Sequence, residues 1–277
     1  MSTNHLFRAR LTWTNLGNGL LVLMGLSVVL PFFWLILGSF KTGAQLNDPT
    51  LLLFNPTLEN WNEIFRSGVL ESTWRSAMVA FITVIFSIII GSMGAYAISR
   101  YRSGGNLARF SILAAQVLPP AVLVFPFLEI SYQLRLNDTV FAVLVPHLSF
   151  VLPVVTWFLI GFFDAVPREV EEQALVDGLS RIQALRKVVI PQVSPGIGAA
   201  AIFGFVLSWN DLFYALILAP GNSATLPVKI ASFNTFRGVE LGAMCAAILV
   251  AVVPVLFMSF FIQKRLVRGI SGGAIKY

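Results

Sequence analysis

Two stretches hold side chains whose types and spacing can do chemistry. The first, EEQALVDGLSRIQALRKVVIP (Glu171–Pro191), sets Glu171, Glu172 and Asp177 ahead of Arg181, Arg186 and Lys187, between long apolar runs that almost entirely lack charge. Carboxylates and guanidiniums on short helices suit charge-assisted bonding to another protein surface better than bare water. The second, Trp209, Asn210 and Asp211, combines a ring for stacking with hydrogen-bonding groups, the chemistry that a sugar's faces and hydroxyls require. His147 and Glu129 stand alone; a single histidine in an apolar run reads first as a hydrogen-bonded packing residue. No His, Cys and carboxylate set has metal-ligand spacing, and no nucleophile sits in a convincing acid–base constellation, which argues against a membrane-embedded enzyme. No glycine-rich loop followed by Lys-Ser or Lys-Thr is present to cradle phosphates, so the chain is not expected to hydrolyse ATP itself.

The elements that position these groups are set by composition. The 277 residues are 57% hydrophobic and 12% charged, with a mean hydropathy of +0.81, too apolar for one soluble core. Uncharged stretches at Leu11–Phe40, Ser76–Ser99, Phe110–Leu128, Thr139–Phe163, Val188–Asn210 and Leu241–Gln263 approach or exceed the roughly 20 residues a helix needs to cross a bilayer. They do not alternate in polarity and outrun a barrel strand, so six transmembrane helices are expected and the fold class is all-α. The apolar run after His5, Arg8 and Arg10 is too long for a signal core and is read as an uncleaved first span. Cys245 lies in the last span, alone, so no disulfide forms within the chain.

Charge then sets orientation. Of the 19 lysines and arginines, Lys41, Arg66, Arg75, Arg135, Lys229 and Arg237 fall on one set of connections and all the rest on the other. The richer set faces the cytoplasm, which puts both termini and the Glu171–Pro191 stretch inside and His147 and Glu129 toward the outside. This topology accounts for the net charge of +6 without nucleic-acid binding.

Local signals refine the elements. In the first outer connection, Leu58, Trp61, Ile64 and Phe65 recur at helical spacing, predicting a helix along the outer surface. Pro119, Pro120 and Pro126 should kink or unwind the third span. Small residues at Gly196–Gly204 and at Gly242, Ala243, Ala246, Ala247 and Ala251 make close-packing seams. The fifth span is expected to continue past Asp211, leaving a carboxylate at membrane depth, a functional candidate by default. In the polar stretch, Pro167 and the following glutamates suit a helix N-terminus and Gly178 its stop; Ser180 caps a second helix, with Ile182, Leu185 and Val189 on one face, that Pro191 ends.

Those residues resemble a known family, the inner-membrane permease subunits of bacterial binding-protein-dependent ABC importers. Their cytoplasmic signature is Glu-Ala-Ala, three residues, Gly, nine residues, then Ile-x-Leu-Pro. Here it stands as Glu172-Gln173-Ala174, Gly178 and Val188-Val189-Ile190-Pro191, with every spacing kept and Gln173 replacing the small central residue. The segments FNPTLENWNEIF, FGFVLSWNDLFYALIL and TLPVKIASF and the tail FFIQKRLVRGISGGAIKY are similar to the carbohydrate-uptake branch, and within it to the second, maltose-type permease.

The resemblance implies one permease domain over 1–277, with a cytoplasmic coupling loop at about 164–195 and a cytoplasmic tail at 264–277. It further implies an inner-membrane protein working with a second permease subunit, two ATPase subunits that hold ATP and Mg, an extracytoplasmic solute-binding protein, membrane lipid and a sugar-like solute. Glu171, Glu172, Gln173, Ala174, Asp177, Gly178 and Pro191 would form the ATPase-coupling hairpin, with Glu172 making a charge-assisted contact. Asn222, Leu226 and Pro227 would lie in the outer loop that meets the binding protein, and the glycine-rich tail after Arg268 would be flexible and reach between the ATPase subunits. The competing expectation is an ion-coupled secondary carrier or channel, which keeps the spans but needs no coupling hairpin.

Overall fold

A computed structural model describes the backbone of residues 3–48, 50–235 and 238–273, and the side chains of 17–48, 50–235 and 238–260. In chain order the helices are α1 (Thr3–Ser39), α2 (Gly43–Leu46), α3 (Glu59–Arg66), α4 (Val69–Tyr101), α5 (Gly105–Val117), α6 (Pro120–Gln133) and α7 (Val140–Ala165). Then come α8 (Arg168–Val176), α9 (Arg181–Ala184), a π-helical turn at Leu185–Val189, α10 (Ile190–Trp209), α11 (Phe213–Leu218), α12 (Leu226–Ala231) and α13 (Leu241–Gly273). A two-residue antiparallel pair, β1 (Asn234–Thr235) with β2 (Gly238–Val239), precedes α13. Among the described residues five helices are long and apolar enough to cross a membrane, and α5 with α6, bent by 86°, completes six if the pair is one span.

The chain is interrupted at Pro119 and Pro120, as expected, and the bend goes further than a kink. Leu118 and Pro119 are extended, because a residue before proline is driven out of the helical region, and Pro120 then starts a new helix where its missing N–H costs nothing. Pro126 is absorbed within α6.

Contacts sort the chain into two compact units: residues 1–67 with 233–250, and 68–232 with 251–277. In the first, the amide of Asn60 on α3 donates to the carbonyls of Ser39 (3.0 Å) and Lys41 (2.8 Å), satisfying the end of α1. The helix expected from Leu58, Trp61, Ile64 and Phe65 is present, with Ile64 buried and Phe65 exposed. A Cβ on Gly242 would overlap the Asn60 side chain, and one on Gly38 would come within 3.0 Å of Cys245 Sγ. The Gly242 seam thus closes within this chain.

In the second unit α4, α7 and α10 form the core, centred on Val151, Val155, Leu159, Phe163, Val193 and Ala200. Close approach is bought by missing side chains. A Cβ on Gly91 would sit 2.9 Å from Thr156 Oγ1, one on Gly204 3.1 Å from Val151 and Val155, and one on Gly196 inside the Phe162 ring.

Three expectations are corrected. Pro191 does not end the second hairpin helix: it is the second residue of α10. A proline inside an α-helix clashes with the carbonyl four residues back, and the wider π-turn just before it relieves that clash, so the helix runs on from Arg181 to Trp209. The same wide turn breaks the expected common face, leaving Ile182 65% exposed while Val189 is buried. Finally, α13 continues through Gly269, Gly272 and Gly273 as helix rather than as a flexible tail; Ala274–Tyr277 lie outside the described residues.

Candidate functional site

Val166 and Pro167, both extended, separate α7 from α8. The helix α8 begins with Arg168, carries Glu169 and Glu171 in its first turn, where they complement the helix dipole, and ends at Asp177. Gly178 then adopts φ +88°, a left-handed conformation that only glycine takes without strain. Its N–H bonds to Leu175 O at 3.0 Å and that of Leu179 to Ala174 O at 3.1 Å, closing the helix end. A capping box follows, in which Ser180 and Gln183 each bond the other's backbone N–H. The expected two-helix hairpin is therefore built, turning at Gly178.

Its two adjacent glutamates point to different worlds. Glu171 is buried against the end of α4: Tyr96 donates its hydroxyl proton to one carboxylate oxygen, and Arg100 Nε donates to the other at 2.8 Å. The side chains of Arg100 and Glu171 keep only 6% and 9% of their exposure. Arg100 Nη1 also donates to Val166 O at 3.0 Å, and Arg168 Nη2 to Ser99 O at 3.1 Å. Removing one member of such a buried pair strands the other charge, at a cost of about 3–5 kcal/mol. Glu172, by contrast, is exposed, as are Gln173 and Asp177, while Ala174 is buried. A cleft of about 140 Å³ lies beside them, lined by Tyr101, Arg168, Glu172, Leu175 and Arg181 along with the Arg100–Glu171 pair. Val176 is 87% exposed, so the hairpin offers apolar as well as charged surface.

At the far end of α10 the expectation of a helix continuing past Asp211 is corrected. The helix stops at Trp209, and α11 resumes at Phe213. Asn210 turns its amide back onto Val206 O (2.9 Å), and Asp211 accepts the N–H of Ala215 (3.2 Å), so the side chains satisfy what the break frees. Asp211 Oδ2 also lies 3.1 Å from His147 Nε2, and Ser208 Oγ lies 2.7 Å from His147 Nδ1. With Nε2–H donating to the carboxylate and Nδ1 accepting the hydroxyl proton, one tautomer satisfies all three. The residue types are those of a hydrolytic triad, but His147 and Ser208 are only 1% and 4% exposed. Trp209 is likewise buried, donating to Ala251 O at 3.1 Å and stacked on Phe205. Of the three candidate pathway residues only Asn210 is exposed. Glu129, on α6, accepts from Gln133 at 2.7 Å.

The loop between α11 and α12 is held by a residue that the sequence did not single out. The Asp138 carboxylate accepts three successive backbone N–H groups, from Gly221 (3.0 Å), Asn222 (2.8 Å) and Ser223 (3.2 Å). A Cβ on Gly221 would fall 2.7 Å from that carboxylate. Asn222 is exposed and Pro227 half-buried, but Leu226 is fully buried, its N–H bonded to Ser76 Oγ at 2.8 Å. Leu226 is thereby corrected from a contact residue to an anchor beneath the loop.

The fold is a bundle of long apolar helices with a polar hairpin between α7 and α10. Residues 87–272 match the family described as the binding-protein-dependent transport system inner membrane component, and the chain belongs to that family. It is a multi-pass membrane protein and a permease subunit of an ABC transporter. Among its relatives, the trehalose transport system permease protein of Mycobacterium tuberculosis is 32% identical over 90% of this chain and 92% of that protein. The sulfoquinovosyl glycerol transport system permease protein of Agrobacterium fabrum is 34% identical, over 89% and 88%. In fold, the chain is similar to a bacterial ABC transporter involved in import of the acidic polysaccharide alginate, with TM-score 0.69 and 20% identity over 93% of this chain and 97% of that one.

Proposed function

We propose that this chain is one of two permease subunits of an ATP-driven importer for a sugar or sugar-like solute, and that it converts closure of partner ATPase subunits into alternating access. The observation that carries the reading is the division of labour in the hairpin: its base is buried and ion-paired, while Glu172, Val176 and Ile182 face outward. A mixed surface of this kind, on a rigid base, suits a cleft in a soluble partner. Two ATPase subunits would bind ATP and Mg, since this sequence has no phosphate-cradling loop. As they close, the contact at Glu172 pulls the hairpin, and the bundle switches between two arrangements.

Both termini face the cytoplasm in this scheme, as the lysine and arginine distribution favours. The Asp138-clamped loop, with Asn222 and Pro227, meets an extracytoplasmic binding protein on the opposite side. Asn210, exposed at the break after α10, is the residue of its trio with access to solute. The sugar class is supported by relatives whose named cargoes are trehalose, sulfoquinovosyl glycerol and diacetylchitobiose.

Replacing Glu172 by Ala in the assembled complex tests the reading. One charge-assisted hydrogen bond is lost, so ATP-dependent uptake of the sugar carried by the cognate binding protein should fall about ten-fold or more, with ATPase turnover uncoupled or the ATPase subunits released. Uptake at the wild-type rate would favour an ion-coupled carrier instead.

A further inference from the structure

We propose that Tyr96, Arg100, Arg168 and Glu171 form a fixed latch that makes the hairpin and α4 one rigid body, so that α4 is the membrane helix the hairpin drives. This rests on the importer reading above and assigns the path by which the pull enters the bundle. The need for a latch is visible in the backbone. Val166 and Pro167 are extended, so α8 is not a helical continuation of α7, and a two-residue extended link transmits little bending. On the other arm, the hairpin enters α10 through a π-turn rather than a regular helix.

Between these two covalent joints, the ties to α4 are polar and directed both ways, and those that meet at Glu171 are buried. Tyr96 and Arg100, one turn apart near the C-terminus of α4, converge on the two oxygens of Glu171. Arg100 also holds the α7–α8 link at Val166 O, and Arg168, the first residue of α8, reaches back to Ser99 O on α4. Sliding α8 along α4 would leave a guanidinium and a carboxylate unpaired, each with less than a tenth of its surface exposed. A charge so stranded is expensive, so the joint resists slipping while exposed contacts give way. Another tie from this end of α4, Tyr101 with Arg181, is exposed and 3.3 Å long, and does not share that resistance. Because α4 packs along α7 and α10 in the core, displacement of its cytoplasmic end is carried into the centre of the bundle. Tyr96, Arg100, Arg168 and Glu171 are thus positioning residues: Glu172 meets the partner, and Glu171 makes that meeting count.

The test measures the joint directly in the assembled transporter, with its second permease and ATPase subunits. Spin labels are placed at Ser103→Cys, just beyond α4, and Glu169→Cys, in the first turn of α8, both exposed, with the buried Cys245 replaced by Ala. Their separation is measured by pulsed electron resonance without nucleotide and after trapping ATP with vanadate. Retention of trapped nucleotide by the complex checks the importer reading separately; a complex that binds no ATPase and traps none overturns that reading, whatever the labels report. With nucleotide trapped, a latched joint gives a narrow distance distribution whose centre moves by less than about 3 Å, within the small shifts of packed helices. A larger shift overturns the latch, because it would show the hairpin sliding on α4. Glu171→Gln should broaden the distribution and lower the ATPase turnover coupled to uptake about ten-fold, in line with loss of a buried charged hydrogen bond. Should Glu171→Gln fail to assemble, Tyr96→Phe, which removes one oxygen, is read the same way. A distribution as narrow as wild type in the variant that assembles would overturn the proposal.

Discussion

The base of the hairpin and the break after α10 are both polar knots in an apolar protein, and they are built to different ends. At the hairpin, Glu171 is consumed by Tyr96 and Arg100, but the residue next to it, Glu172, is left outside beside a small cleft with Arg168 and Arg181. At the break, Asp211, His147 and Ser208 satisfy one another, and Trp209 is spent on Ala251. The first knot anchors a surface that is left exposed, with charged and apolar groups on it. The second closes on itself and fixes a shape, with Asn210 alone exposed. Residue type does not tell these apart; what each group has left over after its neighbours are satisfied does.

Substitutions can break this contrast. The largest effect is expected from Gly178→Pro. Proline holds φ near −65°, whereas Gly178 sits at +88° and its N–H bonds Leu175 O, so the turn cannot form. Transport should be abolished, while the chain still inserts in the membrane, as fractionation would show. Retained uptake would mean that the hairpin geometry is irrelevant to coupling.

Asp211→Asn comes next. It keeps an acceptor for Ala215 N–H but replaces a charge-assisted bond to His147 by a neutral one, a loss of about 1 kcal/mol or more. Thermal unfolding of the purified complex should shift downward by a few degrees. Solute affinity and the uptake rate per folded complex should be unchanged. A change in solute affinity would move the break from a structural knot to a solute site.

The smallest effect is reserved for Arg109→Ala. Arg109 pairs with Asp164 at 2.9 Å, but both side chains are 38% exposed, and pairs in water contribute about 0–1 kcal/mol. Uptake and thermal stability should match wild type, which makes this the reference against which the buried Arg100–Glu171 pair is judged.

How much of this could be read from the sequence follows the range of the interactions. Gaps between charges located the spans, and adjacent prolines at 119 and 120 located the bend, because both act on the local backbone. Gly178 and Ser180 announced the turn for the same reason. The inward aim of Glu171 and the outward aim of Glu172 were not legible. They depend on Arg100 and Tyr96, 71 and 75 positions earlier, which decide which of two equivalent carboxylates is buried. The break at Asn210 likewise depends on His147, 64 positions from Asp211, without which a helix running past the carboxylate was the reasonable expectation. Asp138, clamping a loop 83 to 85 residues away, gave no local signal at all. The π-turn before Pro191 was missed because a proline in an apolar helical run reads as a stop unless the preceding turn widens.

The central claim is that this chain moves its solute only when a separate motor pulls on the hairpin. Reconstitution of the two permeases with and without the ATPase subunits, in liposomes supplied with binding protein and solute, tests it most directly. The account predicts uptake that requires both ATP and the ATPase subunits and stops when either is withheld. Uptake by the permeases alone, driven by a proton or sodium gradient, would contradict it.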